Sequence, residues 1–389
     1  MTGVVVSYTA STQVLVVNVA SVVGSGTYAT WQVSNLMPRL DYNPSTLAAQ
    51  GFLVEEARTN LCLQSEDWGS ATWSKSGSTI TANATTAPTG TTVADKLVED
   101  TSTGTHITTQ SISLGGSVDN SAYVISVFAK ASERTRFQLF DNAQASSGIT
   151  SFDLSNGTVV SGTGTITAVG NGWYRCSVFP LKSTSITSTL TIRLISTGST
   201  TNYTGDGTSG IFVFGAQLEV GAFPTSYIPT TTTALTRAAD VASVNTLSPW
   251  YNATAGTIFV EAANAQVSAS LFSTDDGTAS NRIITYFNVA NSPAFRVVSG
   301  GVDQANFSAG TIAQNATFKL STAYATNDFA ASLNGAAAVT DTSGTVPSGQ
   351  TTARIGSNVS SANFINGYLR RITYYPRRLS NAELQAITT

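Results

Sequence analysis

Apolar and polar residues alternate along nearly the whole chain, in short runs of Val, Ile, Phe, Thr and Tyr separated about every ten residues by clusters of Gly, Asn, Asp and Ser. A period of two broken by turn residues predicts the strands of β-sandwiches or barrels. Residues 3–33 hold strand-like runs at Val4 to Ser7, Val14 to Val19 and Thr30 to Val33, interrupted at Gly24-Ser25-Gly26. This arm is too short to close a core, and its strand edges would leave backbone donors and acceptors open to another chain. Better-formed strands follow at Tyr123 to Lys130, Arg136 to Phe140, Gly172 to Leu181, Leu190 to Ile195 and Ile211 to Val220. The run Phe223-Pro224-Thr225-Ser226-Tyr227-Ile228-Pro229, continued by Thr230 to Thr233, favours extended chain and puts a domain boundary between 230 and 245. A second β module runs from Gly256 to Tyr375. After it, Ser380-Asn381-Ala382-Glu383 fits a capping box, which predicts a terminal helix docked through Leu379, Leu384 and Ile387. The expected organisation is thus an arm over residues 1–50, a first module over 51–240 and a second over 241–389.

Composition changes the picture in one respect. Only 11% of the 389 residues are charged, and the net charge is −3. A surface built largely of hydroxyls and amides suits neutral polyhydroxylated ligands and neighbouring subunits better than phosphate backbones. No electrostatic footprint for nucleic acid is present, and no apolar stretch reaches membrane-spanning length. The start, Met1-Thr2-Gly3-Val4-Val5-Val6, does not read as a secretion signal. Two cysteines, Cys62 and Cys176, with a single histidine give no zinc spacing. They are expected as two buried thiols, with one disulfide as the alternative.

Three segments together carry a resemblance. They are Gly51-Phe52-Leu53-Val54-Glu55-Glu56-Ala57-Arg58-Thr59-Asn60-Leu61 with Ser65-Glu66-Asp67-Trp68 and Trp73; then Gly170-Asn171-Gly172-Trp173-Tyr174-Arg175-Cys176; then Tyr203-Thr204-Gly205-Asp206-Gly207-Thr208-Ser209-Gly210 leading into Gly215-Ala216-Gln217-Leu218-Glu219 and the Pro-containing run above. In that order they resemble the carbohydrate-binding-module-like jelly roll of phage tail and head fibres. The closing pattern Asn366-Gly367-Tyr368-Leu369-Arg370-Arg371-Ile372 and Pro376-Arg377-Arg378-Leu379-Ser380-Asn381-Ala382-Glu383-Leu384 resembles a concanavalin A-like, laminin G-type lectin sandwich. The resemblance implies an all-β chain with two β-sandwich (jelly roll) domains in tandem after a short β-stranded N-terminal arm. It also implies a place on a phage virion, attachment to other virion proteins through the arm, a homo-oligomer that is a trimer by default, and bacterial surface polysaccharide as ligand.

Strand parity gives candidate binding residues. Tyr174, Cys176 and Val178 form one apolar set, leaving Trp173 and Arg175 opposite; Phe212, Phe214, Ala216 and Leu218 form another, leaving Gln217 and Glu219 opposite. Leu190, Ile192 and Leu194 turn Arg193 outward, and Phe137 and Leu139 turn Gln138 outward. On a shared sheet, Gln138, Trp173, Arg175, Arg193 and Gln217 would form a sugar platform of one aromatic plate among fixed donors. The competing role is a structural cluster under a loop or a subunit interface. Trp68 and Trp73 are further binding aromatics or a cover for the end of the core. Asn358, Asn363 and Phe364 are late-loop candidates in the lectin-like module. Asp206, Asp275 and Asp276 are the carboxylates available to calcium, with turn formation as the competing role.

Catalysis is not expected. His106 stands in a Thr-rich stretch and reads as an exposed strand residue. Glu55 and Glu56 are adjacent, so in a strand they point to opposite faces and cannot flank one glycosidic bond. The leading expectation is a glycan-binding adhesin. A purely structural fibre or head decoration is the alternative, and a polysaccharide depolymerase the second.

Overall fold

The computed structural model describes residues 2–9, 14–21, 39–44, 46–114, 122–142, 148–182, 187–263, 269–313 and 316–389. It is all-β apart from one C-terminal helix among those residues, and no helix is long and apolar enough to cross a membrane. The chain divides into two compact units, Met1–Pro38 and Arg39–Thr389. In the first, strand Thr2–Thr9 pairs antiparallel with Val14–Ser21, Val5 opposite Val17 and Tyr8 opposite Leu15. The run at Thr30 to Val33 lies outside the described residues.

The second unit holds two sandwiches. In the first, one sheet runs in the spatial order Thr158–Ser161, Thr150–Asp153, Arg136–Asp141, Thr187–Ile195, Ile107–Ser113, Ser74–Ser76. Facing it are Gly164–Ala168, Trp173–Lys182, Ala122–Ala131, Gly210–Val220, Ala94–Glu99 and Ser78–Thr85. Alternation sends Phe137, Leu139, Ile192 and Leu194 from one side and Ile125, Val127, Cys176 and Leu218 from the other into a common core. Cys62 and Cys176 are both free and buried there, and burial pushes both thiols above their ordinary pKa.

The second sandwich is built the same way. One sheet is Ala242–Val244, Thr352–Ile355, Ser270–Asp275, Arg282–Val289, Ser292–Ser299, Val302–Ser308. The other is Val339–Asp341, Asp328–Leu333, Thr317–Ala325, Ala255–Ala263, Gly367–Tyr375, Ala49–Val54, Leu40–Tyr42. Here the domain limits differ from those the sequence suggested. Leu40–Tyr42 and Ala49–Val54 are strands of the second sandwich, with Leu53 opposite Tyr368 and Phe52 opposite Leu369. Alternation marks a strand but not its partner, because the ladder is made by backbone groups common to every residue. Gly51 fits the pairing: its φ is +115°, and a Cβ there would lie 2.6 Å from the Leu369 carbonyl oxygen.

The first sandwich is therefore inserted into the second. The chain leaves through Arg58–Asn60 and returns through Leu235–Arg237, and these two segments pair side by side. The Pro-containing run 223–229 is not a free connector. Thr225 and Ile228 are buried, and the Ile228 N–H donates to Gln217 Oε1 at 2.7 Å. At the crossing, Glu55 accepts from Arg39 Nη2 at 2.9 Å and from the Ser226 N–H at 2.9 Å, with Arg237 Nη2 at 3.3 Å. Asp240 Oδ2 accepts from Arg39 Nη1 at 2.6 Å and from the Glu55 N–H at 2.9 Å.

The helix Asn381–Thr388 starts at the expected capping box, with Ser380 and Glu383 bonded reciprocally. Leu379 and Leu384 bury against Ala323 and Ala330 on the outside of a sheet. Ser380→Ala should cost about 1 kcal/mol, read as a lower urea midpoint with an unchanged slope.

Candidate functional site

The structure separates the residues proposed as one platform. Gln138 and Arg193 lie on the outer face of one sheet of the first sandwich, opposite each other on neighbouring strands. Trp173, Arg175 and Gln217 belong to the facing sheet, on its own outer side. Their parity is as the alternation indicates, but that side is covered. Trp173 is 1% exposed, its Nε1–H donates to the Thr86 carbonyl at 3.0 Å, and it packs with Ala87, Ala94, Phe128 and Phe214. Gln217 is fully buried under the 223–229 run. Arg175 donates to Ser126 Oγ at 2.9 Å and its guanidinium lies 5.6 Å from the Phe128 ring. Burial lowers the Arg175 pKa, against the opposing charge of Glu219.

One further parity assignment is corrected. Phe212 and Phe214 are not in the sandwich core but pack in the outer cluster with Trp173, while Ile211, Val213, Ala216 and Leu218 face inward. Gly215, at φ +60°, is the extra residue of a bulge where the pairing with Ala122–Ala131 slips. A Cβ there would sit 2.9 Å from Phe128. Period two cannot register an insertion of one residue.

Trp68 and Trp73 are core residues, 0% and 1% exposed, stacked with centroids 4.1 Å apart. In the second sandwich Phe364 is also buried in the core. Asn358 shapes its own loop, accepting from Ser360 and Ala362 N–H groups at 3.0 and 3.1 Å. Asn363 sits at φ +52°, and its carbonyl accepts from the Ser270 N–H.

The carboxylates considered for calcium have protein partners. Asp206 accepts from Thr208 and Ser209, at 2.8 Å from the Thr208 N–H and 2.6 Å from the Ser209 hydroxyl, which holds its pKa well below the ordinary range. Asp275 is buried and takes both Arg354 Nε at 2.7 Å and Nη2 at 3.1 Å. Asp276 accepts from the Thr278 hydroxyl at 2.6 Å and Asn281 Nδ2 at 2.8 Å. No group of three or more His, Cys, Asp or Glu side chains suited to a metal gathers among the described residues. His106, expected on the surface, is fully buried: its ring meets the Gly77 and Tyr203 carbonyls and lies 4.5 Å from the Tyr203 ring. Its neighbours are Thr residues in sequence, but the fold closes the 203–210 loop over it.

Gln138 and Arg193 are partly exposed on the outer face of the other sheet of the first sandwich, although Ser151, Phe140 and Thr191 of the same face are buried. One row across the sheet reads Ser151, Gln138, Arg193, Ile107, Ser76, and the next reads Phe140, Thr191, Thr109, Ser74. Gln138 Oε1 accepts from Arg193 Nε at 2.7 Å and from Nη2 at 2.5 Å, and its Nε2 donates to Ser151 Oγ at 3.1 Å. The guanidinium lies 4.9 Å from the Phe140 ring, and burial lowers its pKa. A guanidinium has five N–H donors; the bonds to Gln138 are the only ones Arg193 makes among the described residues. Its orientation is fixed and its other donors are unspent. Ser74, Ser76 and Ser111 add exposed hydroxyls. Phe140 was missed because Leu139-Phe140 breaks the alternation, although it shares parity with Gln138.

A separate cleft is lined by Ala57, Arg58, Leu61, Leu114, Val220 and Thr236. Its Arg58 is already bonded to Glu56 and the Val220 carbonyl and stacked on Phe223.

No family model and no curated protein matches the chain. Among solved structures, the mouse laminin alpha1 chain, domains LG4-5, is similar at 12% identity and a TM-score of 0.30, over 73% of this chain and 88% of that one. A tail fiber protein, gp63.1, from a phage of E. coli is similar at 12% identity and a TM-score of 0.21, over 78% of this chain and 39% of that one. Likeness at these scores carries no argument about what the chain does.

Proposed function

We propose that the chain is a non-enzymatic fibre protein of a phage particle that binds bacterial surface glycan on the outer sheet face of its first sandwich. The supporting observation is the Arg193 guanidinium, held by Gln138 and Phe140 with unspent donors on a sheet face that also carries the exposed hydroxyls of Ser74, Ser76 and Ser111. Sugar hydroxyls accept from such donors, and a preset guanidinium loses little freedom on binding. The virion placement rests on the resemblance of the three ordered segments to phage fibre modules. The arm over Met1–Pro38 is the proposed contact to other virion proteins.

Arg193→Ala should lower retention on host cells or on a surface-polysaccharide array at least tenfold without moving the unfolding midpoint. Equal retention by wild type and variant would remove this face as the binding surface. A structural-spacer reading has one observation in its favour, the ion-paired crossing between the sandwiches. It predicts no glycan retention by either form, with incorporation into particles intact.

A further inference from the structure

The second sandwich has an outer sheet face whose cations outnumber its acids. In Arg282–Val289, Ile283 and Phe287 enter the core, so Arg282, Ile284 and Tyr286 point outward. Register then aligns Asp275, Arg282, Val298 and Asp303 in one row, and Arg354, Ser273, Ile284, Arg296 and Asn306 in the next. Two of the three guanidiniums are paired. Arg354 holds Asp275 through both oxygens, and Arg296 Nε donates to Asp303 Oδ1 at 2.7 Å.

Arg282 stands between those pairs without a hydrogen-bond partner among the described residues, and its Nε is sealed from solvent. Burial lowers its pKa and the neighbouring Arg296 charge lowers it further, against the opposing charges of Asp303 and Asp275. A half-buried guanidinium whose two neighbouring carboxylates are already bonded to other arginines, and which makes no hydrogen bond of its own among the described residues, is stabilised when a further anion meets it. Beside it, the half-buried Tyr286 donates to Asn306 Oδ1 at 3.0 Å, and Asn306 is exposed. One excess positive charge among neutral hydrogen-bonding groups matches a single carboxylate on a hydroxylated ligand. A polyphosphate would need several cations.

We propose that this face binds a carboxylate-bearing sugar, a uronate unit of an acidic polysaccharide, with Arg282 receiving the carboxylate and Asn306 and Tyr286 meeting adjacent hydroxyls. This site is distinct from the Arg193 face and goes beyond the function proposed for it.

The test is calorimetric titration of the full chain with an oligogalacturonate and with the same oligomer reduced to its neutral alcohol form. The acidic form should bind at least tenfold tighter, and that advantage should shrink as salt is raised. Arg282→Gln should abolish the acidic-over-neutral ratio, a loss of tenfold or more, while Arg282→Lys retains part of it. The Arg282→Gln comparison is repeated in an Arg193→Ala background, so that loss of the ratio there reports on this face alone and failure of the first-sandwich site is read separately. Equal affinity for the two oligomers overturns the proposal, as does an Arg282→Gln protein with the ratio intact. If Arg282→Gln does not fold, Arg282→Lys decides: a reduced acidic-over-neutral ratio supports the site and an unchanged ratio overturns it, while Asn306→Ala should weaken both oligomers alike.

Discussion

Glu55→Ala should lower stability by about 3–5 kcal/mol, as breaking a buried pair by removing one partner does, and should split one thermal transition into two. Glu55 is 6% exposed and meets Arg39, Arg237 and the Ser226 N–H where the chain crosses between sandwiches. Its removal leaves Asp240 as the one carboxylate paired with both guanidiniums among the described residues. Because the inserted sandwich has its own core, loss of the crossing should decouple the two cores before it unfolds either, which differential scanning calorimetry resolves. A single unsplit transition with the wild-type midpoint would show the crossing contributes nothing. The pH dependence has a definite sign. Burial alone would raise the Glu55 pKa, but Arg237, Arg39 and Ser226 outweigh it and hold it below its ordinary 4.5. The stabilisation is therefore full above that value and is lost as pH falls through the lower folded-state pKa. Glu55→Ala should flatten the acid limb of the stability curve by that contribution.

The strands and the helix cap were legible in the sequence because both depend on contacts within a few residues. Ser380 and Glu383 are three apart, and parity at Gln138, Trp173 and Arg193 needs only the alternation around each. What the sequence did not carry was which strands neighbour which. Gln138 and Trp173 have correct parity yet lie on opposite sheets, and Ala49–Val54 joins a strand more than 300 residues later in the chain. Those choices are made by core packing summed over a whole sheet, not by any local run. Coverage was equally invisible: Trp173 points outward as its parity indicates, but the Thr86-Ala87 segment that meets the indole lies 87 residues earlier in the chain. Arg282 was hidden for the opposite reason. In Arg282-Ile283-Ile284-Thr285-Tyr286 the outward Ile284 blurs the alternation, so the strand reads as buried on both faces.

Trp173→Ala provides the sharpest separation between an indole that binds sugar and one that holds the fold. With 1% of its surface exposed and its Nε1–H bonded to the Thr86 carbonyl, the side chain fills the space between Ala87, Phe128 and Phe214. Deleting it leaves a cavity and removes the hydrogen bond to the Thr86 carbonyl, and the expected cost is about 3–5 kcal/mol. Trp173→Phe keeps most of the ring and loses only the donor, so about 1–3 kcal/mol is expected. Both are read as urea midpoints followed by tryptophan-independent circular dichroism. Glycan retention at a temperature where each variant remains folded should equal that of wild type, since Arg193 and Gln138 lie on the facing sheet. A Trp173→Ala protein with an unmoved midpoint and no retention would reverse the assignment and place the indole at the ligand.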